Sequence, residues 1–437
     1  MKKTSVGLEV EFFTINSEGK LVEKADELLK ILRENKRIGY HMKEEISHSV
    51  IEMGATPKRK VRATAVNFLK NLQKMVEITE ENDIYLVPLG CYPAKSNHRL
   101  RKKHWYDSQE FLLGKKNFAK EIRMCGFHFH YSLPQGIVGK KTESIKPLRK
   151  SYAKDVFLNQ YNFAIAMDPV CITLGQSSPF YEGEYIGKDC RALLYRDMAV
   201  EGKFEGAYHA ELSLIGSLPN YQFTLEDIRW NSARRKNVYL DMLKKREFPI
   251  KELATVPELK FMWGPLRVNK IGTLEYRGID MNHPEYLFGA AAVFKLALEE
   301  IKNQELQVLP SDIGIKEPFK IEDGIVYVPP FSTVKSMELL SGMYGLDNSE
   351  VHNYCKKLYD FLKKNNSKKI NTKMYDIVRK ILDKKKTLSD EILDMIKKNG
   401  YTPENVPDDF LRYIASYQAK KLGEGVKKSL KLYSSLY

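Results

Sequence analysis

Three short segments repeat one arrangement of reactive side chains. Gly7-Leu8-Glu9-Val10-Glu11 sets two carboxylates at i, i+2. Gly126-Phe127-His128-Phe129-His130-Tyr131 sets two imidazoles at the same spacing. Thr273-Leu274-Glu275-Tyr276-Arg277 does so with a carboxylate and a guanidinium. A fourth segment carries Glu52 among apolar residues, with Glu45 seven residues earlier. Carboxylates converging on one face repel each other unless a cation compensates them. Mg²⁺ and Mn²⁺ prefer oxygen ligands and tolerate an imidazole. An Arg beside them suits a polyphosphate and the charge on a transferring phosphoryl group.

Such residues need strands to position them. Side chains alternate between the faces of a strand, so each i, i+2 pair shares one face. The interleaved residues Leu8, Val10, Phe12, Phe127, Phe129, Leu274 and Tyr276 fall on the other face and are apolar. The pattern predicts strands over 6–15, 46–55, 84–88, 125–133 and 269–280. Helical spacing predicts helices over 23–36, 62–82, 154–167, 225–247 and 286–302. Any one pair alone fits a half-exposed strand. Three together, dominated by carboxylates, imidazoles and one Arg where a solvated face would normally show Lys, Thr, Ser and Gln, point to a cation site.

In this order the motifs resemble the glutamate–cysteine ligase family of carboxylate–amine ligases, relatives of glutamine synthetase. The family's opening G-x-E-x-E is matched by Gly7, Glu9 and Glu11. Glu45 and Glu52 precede Ala55-Thr56-Pro57 as the family's second motif does. Gly126, His128, Ser132 and Pro134 match its G-x-H strand, and Glu275, Arg277 and Asp280 its late E-x-R strand. Tyr92 stands where the bacterial branch has a His. The resemblance covers roughly residues 5–300.

It implies an α+β fold with a curved antiparallel sheet forming a funnel, helices on its outer face and a helical C-terminal region. It implies ATP and Mg²⁺, with Mn²⁺ as a substitute. Glu9, Glu11, Glu52, His128 and Glu275 would be metal ligands. Arg277 would bind the nucleotide and stabilise the phosphoryl group, and Glu45 would act as a further ligand or on the amine side. The reaction would join a carboxylate, glutamate by the resemblance, to an amine through an acyl phosphate, releasing ADP and phosphate. Arg191 and Arg196 follow the small-residue turn Gly175–Pro179 and are candidates to grip the substrate carboxylate.

The chain has 437 residues and a formal net charge of +15. Residues 351–437 hold 20 Lys and Arg against 10 Asp and Glu, so most of the excess lies there. This divides the chain into a catalytic part, 1–348, and a Lys-rich helical region, 349–437. No long apolar run marks a membrane span, and Met1-Lys2-Lys3 opens no signal-peptide pattern, which predicts a cytoplasmic protein. The five cysteines lack metal spacing and read as buried thiols. Two other readings stay open. One is a phosphoryl-transfer enzyme on the same fold, such as a guanidino kinase. The other is nucleic-acid binding through the basic C-terminal helices, which no recognition motif supports. A homo-oligomer is compatible with the sequence.

Overall fold

The computed structural model describes residues 4–139, 141–147, 151–370 and 372–435. Met1–Lys3, read above for a leader, lie outside the described residues. The architecture is mixed: a seven-stranded sheet with helices packed against it.

The sheet strands are β1 Val6–Ile15, β2 Met42–Glu44, β3 Val50–Gly54, β4 Tyr85–Val87, β5 Gly126–Ser132, β6 Leu266–Asn269 and β7 Thr273–Asp280. Their order is β6-β7-β5-β1-β3-β2, with β4 paired to the end of β1. Every pairing in it is antiparallel. An antiparallel sheet can present one dry and one wet face, and the alternation in sequence chooses which is which.

The dry face carries Val6, Leu8, Val10, Phe12, Phe127, Phe129, Leu274 and Tyr276, all buried. Helix Pro284–Asn303 lies on it, with Phe294 against both Phe129 and Tyr276 (ring centroids 5.3 and 5.1 Å apart). Phe288 of the same helix meets Phe68 of helix Val61–Glu80 and Tyr433 of helix Asp408–Ser434 at 5.7 and 5.5 Å. The Phe129–Phe294, Phe68–Phe288 and Phe288–Tyr433 contacts are edge-to-face, a geometry that adds to the area they bury.

The C-terminal residues are helical as expected, but they do not form a separate appendage. Leu411, Ile414, Leu422, Val426 and Tyr433 belong to one continuous apolar core with the sheet. The lysines of this region set the charge, while its apolar stripes decide the packing.

Two expected strands differ from the pattern. The segment 269–280 is a hairpin, because Gly272 takes φ +83° and Asn269 accepts a hydrogen bond from the Ile271 amide at 3.1 Å. That turn adds β6, which the pattern did not anticipate. The segment 46–55 becomes a strand only at Val50. Before it, Ser47 accepts from the Ser49 amide at 3.1 Å, and Arg101 donates to the Glu45 and Ser47 carbonyls. These local bonds replace ladder bonds and turn Glu45 away from the strand direction. All five cysteines are free and buried.

Candidate active site

Register brings the front-face residues together. Glu9 lies opposite His128, Glu11 opposite Glu52, and Glu275 opposite His130. Facing positions on an antiparallel pair sit side by side. The Glu9 carboxylate is 3.7 Å from His128 Nδ1 and 3.5 Å from His130 Nε2. His128 Nε2 is 3.5 Å from Glu11, and His128 Nδ1 is 3.9 Å from Glu275. The sequence expectation that the three pairs share one face therefore holds in the geometry.

Two residues not singled out in the sequence complete this face. Arg267, opposite Glu275 on β6, grips its carboxylate with two bonds of 2.6 and 3.0 Å, and Asn269 adds a third at 2.5 Å. Lys43, opposite Glu52 on β2, bridges Glu52 at 2.5 Å and Glu9 at 2.8 Å. Arg267 could have been found from the hairpin, had Gly272 been read as a turn. Lys43 stands in an ordinary charged run and gave no signal.

The electrostatics follow from these neighbours. Burial works against ionisation of Glu9, yet His128, His130 and Lys43 hold its carboxyl well below the usual range. Glu275 is deeply buried, and Arg267, His130, Arg277 and His128 hold it low as well. Glu45 goes the other way: burial and the carboxylates of Glu11 and Glu52 push it well up, against the pull of Arg277. Glu11 is fixed by the Gly126 amide, which donates to it at 2.6 Å.

A divalent cation fits this donor set. Ligand atoms of Glu9, His130 and Glu275 lie within 4.8 Å of one another. The Nε2 atoms of His128 and His130 are buried with no hydrogen-bond partner. Glu11, Glu45 and Glu52 crowd negative charge that a cation would relieve.

Cavities open on both sides of the face. One of about 480 Å³ is lined by Glu11, Glu45, Glu121, Arg191, Arg267 and Arg277, with Trp105, Tyr106, Tyr195 and Trp263 as aromatic wall. The other, about 350 Å³, is lined by Gly7, Glu9, Tyr40, Lys43, His130 and Thr273. Arg277 reaches the first because the β5–β7 register shifts between Tyr276 and Ile279, a bulge that re-aims the side chain. Arg191 stabilises that bulge, donating to the Arg277 carbonyl at 2.9 Å and the Ile279 carbonyl at 3.3 Å.

Arg196 does not join them. It is buried, paired with Asp168 and Glu338, and its role as a substrate-gripping residue is withdrawn. Arg191 stands in helix Cys190–Tyr195, whereas Arg196 lies just past the end of that helix and is buried. In the basic run from His98 to Tyr106, Arg101 pairs with Asp26, Lys103 with Glu44, and His98 bonds Ser47 at 2.9 Å, while Arg99, Lys102 and Lys103 are exposed.

Comparison with known proteins identifies the family. The sequence profile of glutamate–cysteine ligase family 2 (GCS2) matches residues 5–241. A protein of Chromobacterium violaceum, provisionally named glutamate–cysteine ligase 2, is 24% identical over 181 residues, covering 41% of this chain and 43% of its own length. One of the same provisional name from Legionella pneumophila is 24% identical over 404 residues, 86% of this chain and 90% of its own. Among solved structures, glutamate–cysteine ligase from Francisella tularensis in complex with AMP superposes with a TM-score of 0.52 at 13% identity, covering all of this chain and 95% of that one. A bifunctional glutathione synthetase from Pasteurella multocida gives 0.52 at 14% identity, where this chain spans about half (52%) of that protein. No helix among the described residues is long and apolar enough to cross a membrane. With the profile matched over more than half its length, the chain belongs to glutamate–cysteine ligase family 2, a family of ATP-dependent ligases that form amide bonds.

Proposed function

We propose that this protein joins glutamate to an amine at the expense of ATP. The γ-phosphoryl group passes to the glutamate side-chain carboxylate, giving an acyl phosphate and ADP. The amine then attacks the acyl carbon, the carbon–oxygen bond to phosphate breaks, and a γ-glutamyl amide and phosphate leave. The observation that carries this reading is the front face itself: Glu9, Glu11, Glu52, His128 and Glu275 between two cavities, with Arg277 entering one of them. The face would form the floor of a funnel that takes nucleotide from one side and carboxylate from the other.

Glu9, Glu11, Glu52, His128 and Glu275 would hold Mg²⁺, with His130, which converges on Glu9 and Glu275, and Glu45 as further ligands. A divalent ion held there would supply positive charge against the phosphate oxygens. The protein's own groups do the rest. Arg277, half-buried and fully charged, stabilises negative charge that develops on the transferring phosphoryl group. Arg191 contributes a guanidinium to the same cavity for a substrate carboxylate. The aromatic wall of Trp105, Tyr195 and Trp263 excludes water, which would otherwise hydrolyse an acyl phosphate. Lys43 and Arg267 hold Glu9, Glu52 and Glu275 in place before metal enters.

The test is to supply Mg-ATP, glutamate and a panel of amines that includes cysteine, and to follow ADP. Amine-dependent ADP release with an amide product is expected. A stable phosphorylated product would instead identify a phosphoryl-transfer enzyme on this fold, and no release with any amine would remove the ligase reading.

A further inference from the structure

Glu121 lines the larger cavity, and the mechanism above does not use it. It stands in the last turn of helix His104–Ile122. Part of its surface stays open to the cavity. Its carboxylate accepts from the Tyr208 hydroxyl at 3.2 Å and from Gln109 Nε2 at 3.4 Å. Both donors are neutral and both contacts are long. Among the described residues it forms no ion pair, and Arg277 acts on it only through space. A carboxylate withdrawn from water in this way lacks its counter-ion. Burial accordingly pushes it up to about 7. A ligand cation would satisfy it.

The rest of the cavity says what kind of cation. Guanidiniums of Arg191 and Arg277 line it too, so a ligand there meets a negative group and positive groups together. That pattern suits a zwitterion. Trp105 and Trp263, with ring centroids 5.5 Å apart, add π faces that attract an ammonium.

We infer that Glu121 recognises the α-ammonium of the donor amino acid, while Arg191 takes its α-carboxylate. The inference rests on the ligase reading for the identity of the donor. It names the donor and not the acceptor for a chemical reason. The acceptor's amine must be neutral and free to attack. An amine held in an ion pair with Glu121 is protonated and cannot be the nucleophile. The held ammonium therefore belongs to the molecule whose other end, a carboxyl, reaches the metal face at Glu11 and Glu45.

Titration calorimetry of L-glutamate and of glutarate, which lacks only the ammonium, tests this. Wild type, Glu121→Gln and Glu121→Asp are titrated with Mg²⁺ and a non-hydrolysable ATP analogue present. Wild type should bind glutamate at least about 10-fold more tightly than glutarate. Glu121→Gln should weaken glutamate about 10- to 100-fold and leave glutarate unchanged, which also shows that the variant is folded. Glu121→Asp, still anionic, should keep part of the preference. The proposal is overturned if wild type shows no preference, if the Gln variant keeps it, or if both ligands weaken alike. Turnover measured alongside separates the two readings. Amine-dependent ADP release with an undiminished preference in Glu121→Gln discards only the role of Glu121. A Glu121-dependent preference with no such release discards the ligase and keeps the binding role.

Discussion

Arg277 and Glu275 are two residues apart and make opposite demands on a substitution. Arg277→Lys keeps a positive charge in the cavity but loses the planar fork. The rate should fall about 10²–10³-fold with little change in melting temperature, as steady-state kinetics and a thermal melt would show. Glu275→Gln removes a metal ligand's charge and leaves Arg267 bound to a neutral amide. Its activity should be lost, Mn²⁺ binding in the absence of substrate should weaken, and stability should drop by about 1–3 kcal/mol. Unchanged Mn²⁺ binding would take Glu275 out of the ligand set. Glu121 gives a pH dependence. Its carboxyl titrates near 7 in the fold, against 4.5 when free. Between those values the folded chain holds a proton that the unfolded chain has released. Stability should therefore fall as pH rises from about 4.5 to about 7, by something on the order of 2–3 kcal/mol, and flatten above. Denaturant melts of wild type and Glu121→Gln across that range should diverge, with a shallower pH slope in the variant.

Elements decide which of these residues can meet. The bulge in β7 is the clearest case, since it carries Arg277 into the cavity and leaves Gly278 facing the core. A Cβ on Gly278 would come within 2.5 Å of the Arg196 guanidinium and 2.6 Å of the Tyr276 hydroxyl. Gly278→Ala should cost about 1–3 kcal/mol of stability and also lower the rate by displacing Arg277. Arg196 itself now reads as a structural residue. It ties helix Phe331–Tyr344, through Glu338, to Asp168, and Asp168 accepts from the Tyr276 hydroxyl. Arg196→Met would leave buried Asp168 without its counter-charge and Glu338 with Lys335 alone, and we expect a loss of about 3–5 kcal/mol in denaturant unfolding. A stable Arg196→Met with a raised glutamate KM would restore it as a substrate residue. Period-two alternation made β1, β5 and most of β7 legible, because one dry face forces the pattern. The loop at 45–49 was not legible, since Arg101 reaches it from 54 residues away in sequence.

At the scale of the whole molecule, the basic C-terminal region is a structural support. Tyr433 of helix Asp408–Ser434 packs on Phe288, which in turn meets Phe68, and Arg62 donates to the Tyr433 carbonyl at 2.9 Å. Ending the chain at Pro407 should expose this aromatic cluster and abolish a cooperative melt, as circular dichroism would report. A fully cooperative, soluble truncation would make the region the appendage its charge suggests. The net charge of +15 concerns the surface, while the acidic face sits on a sheet whose dry side the helices bury. The sequence by itself determined which side chains share a face and what chemistry they could do, because strand alternation is local and needs no partner. It could not determine register, the bulge that aims Arg277, the burial that diverts Arg196, or the arrival of Lys43, Arg267 and Glu121. Those depend on contacts between residues far apart in the chain, and only the closed sheet and its packed helices bring them within reach of one another.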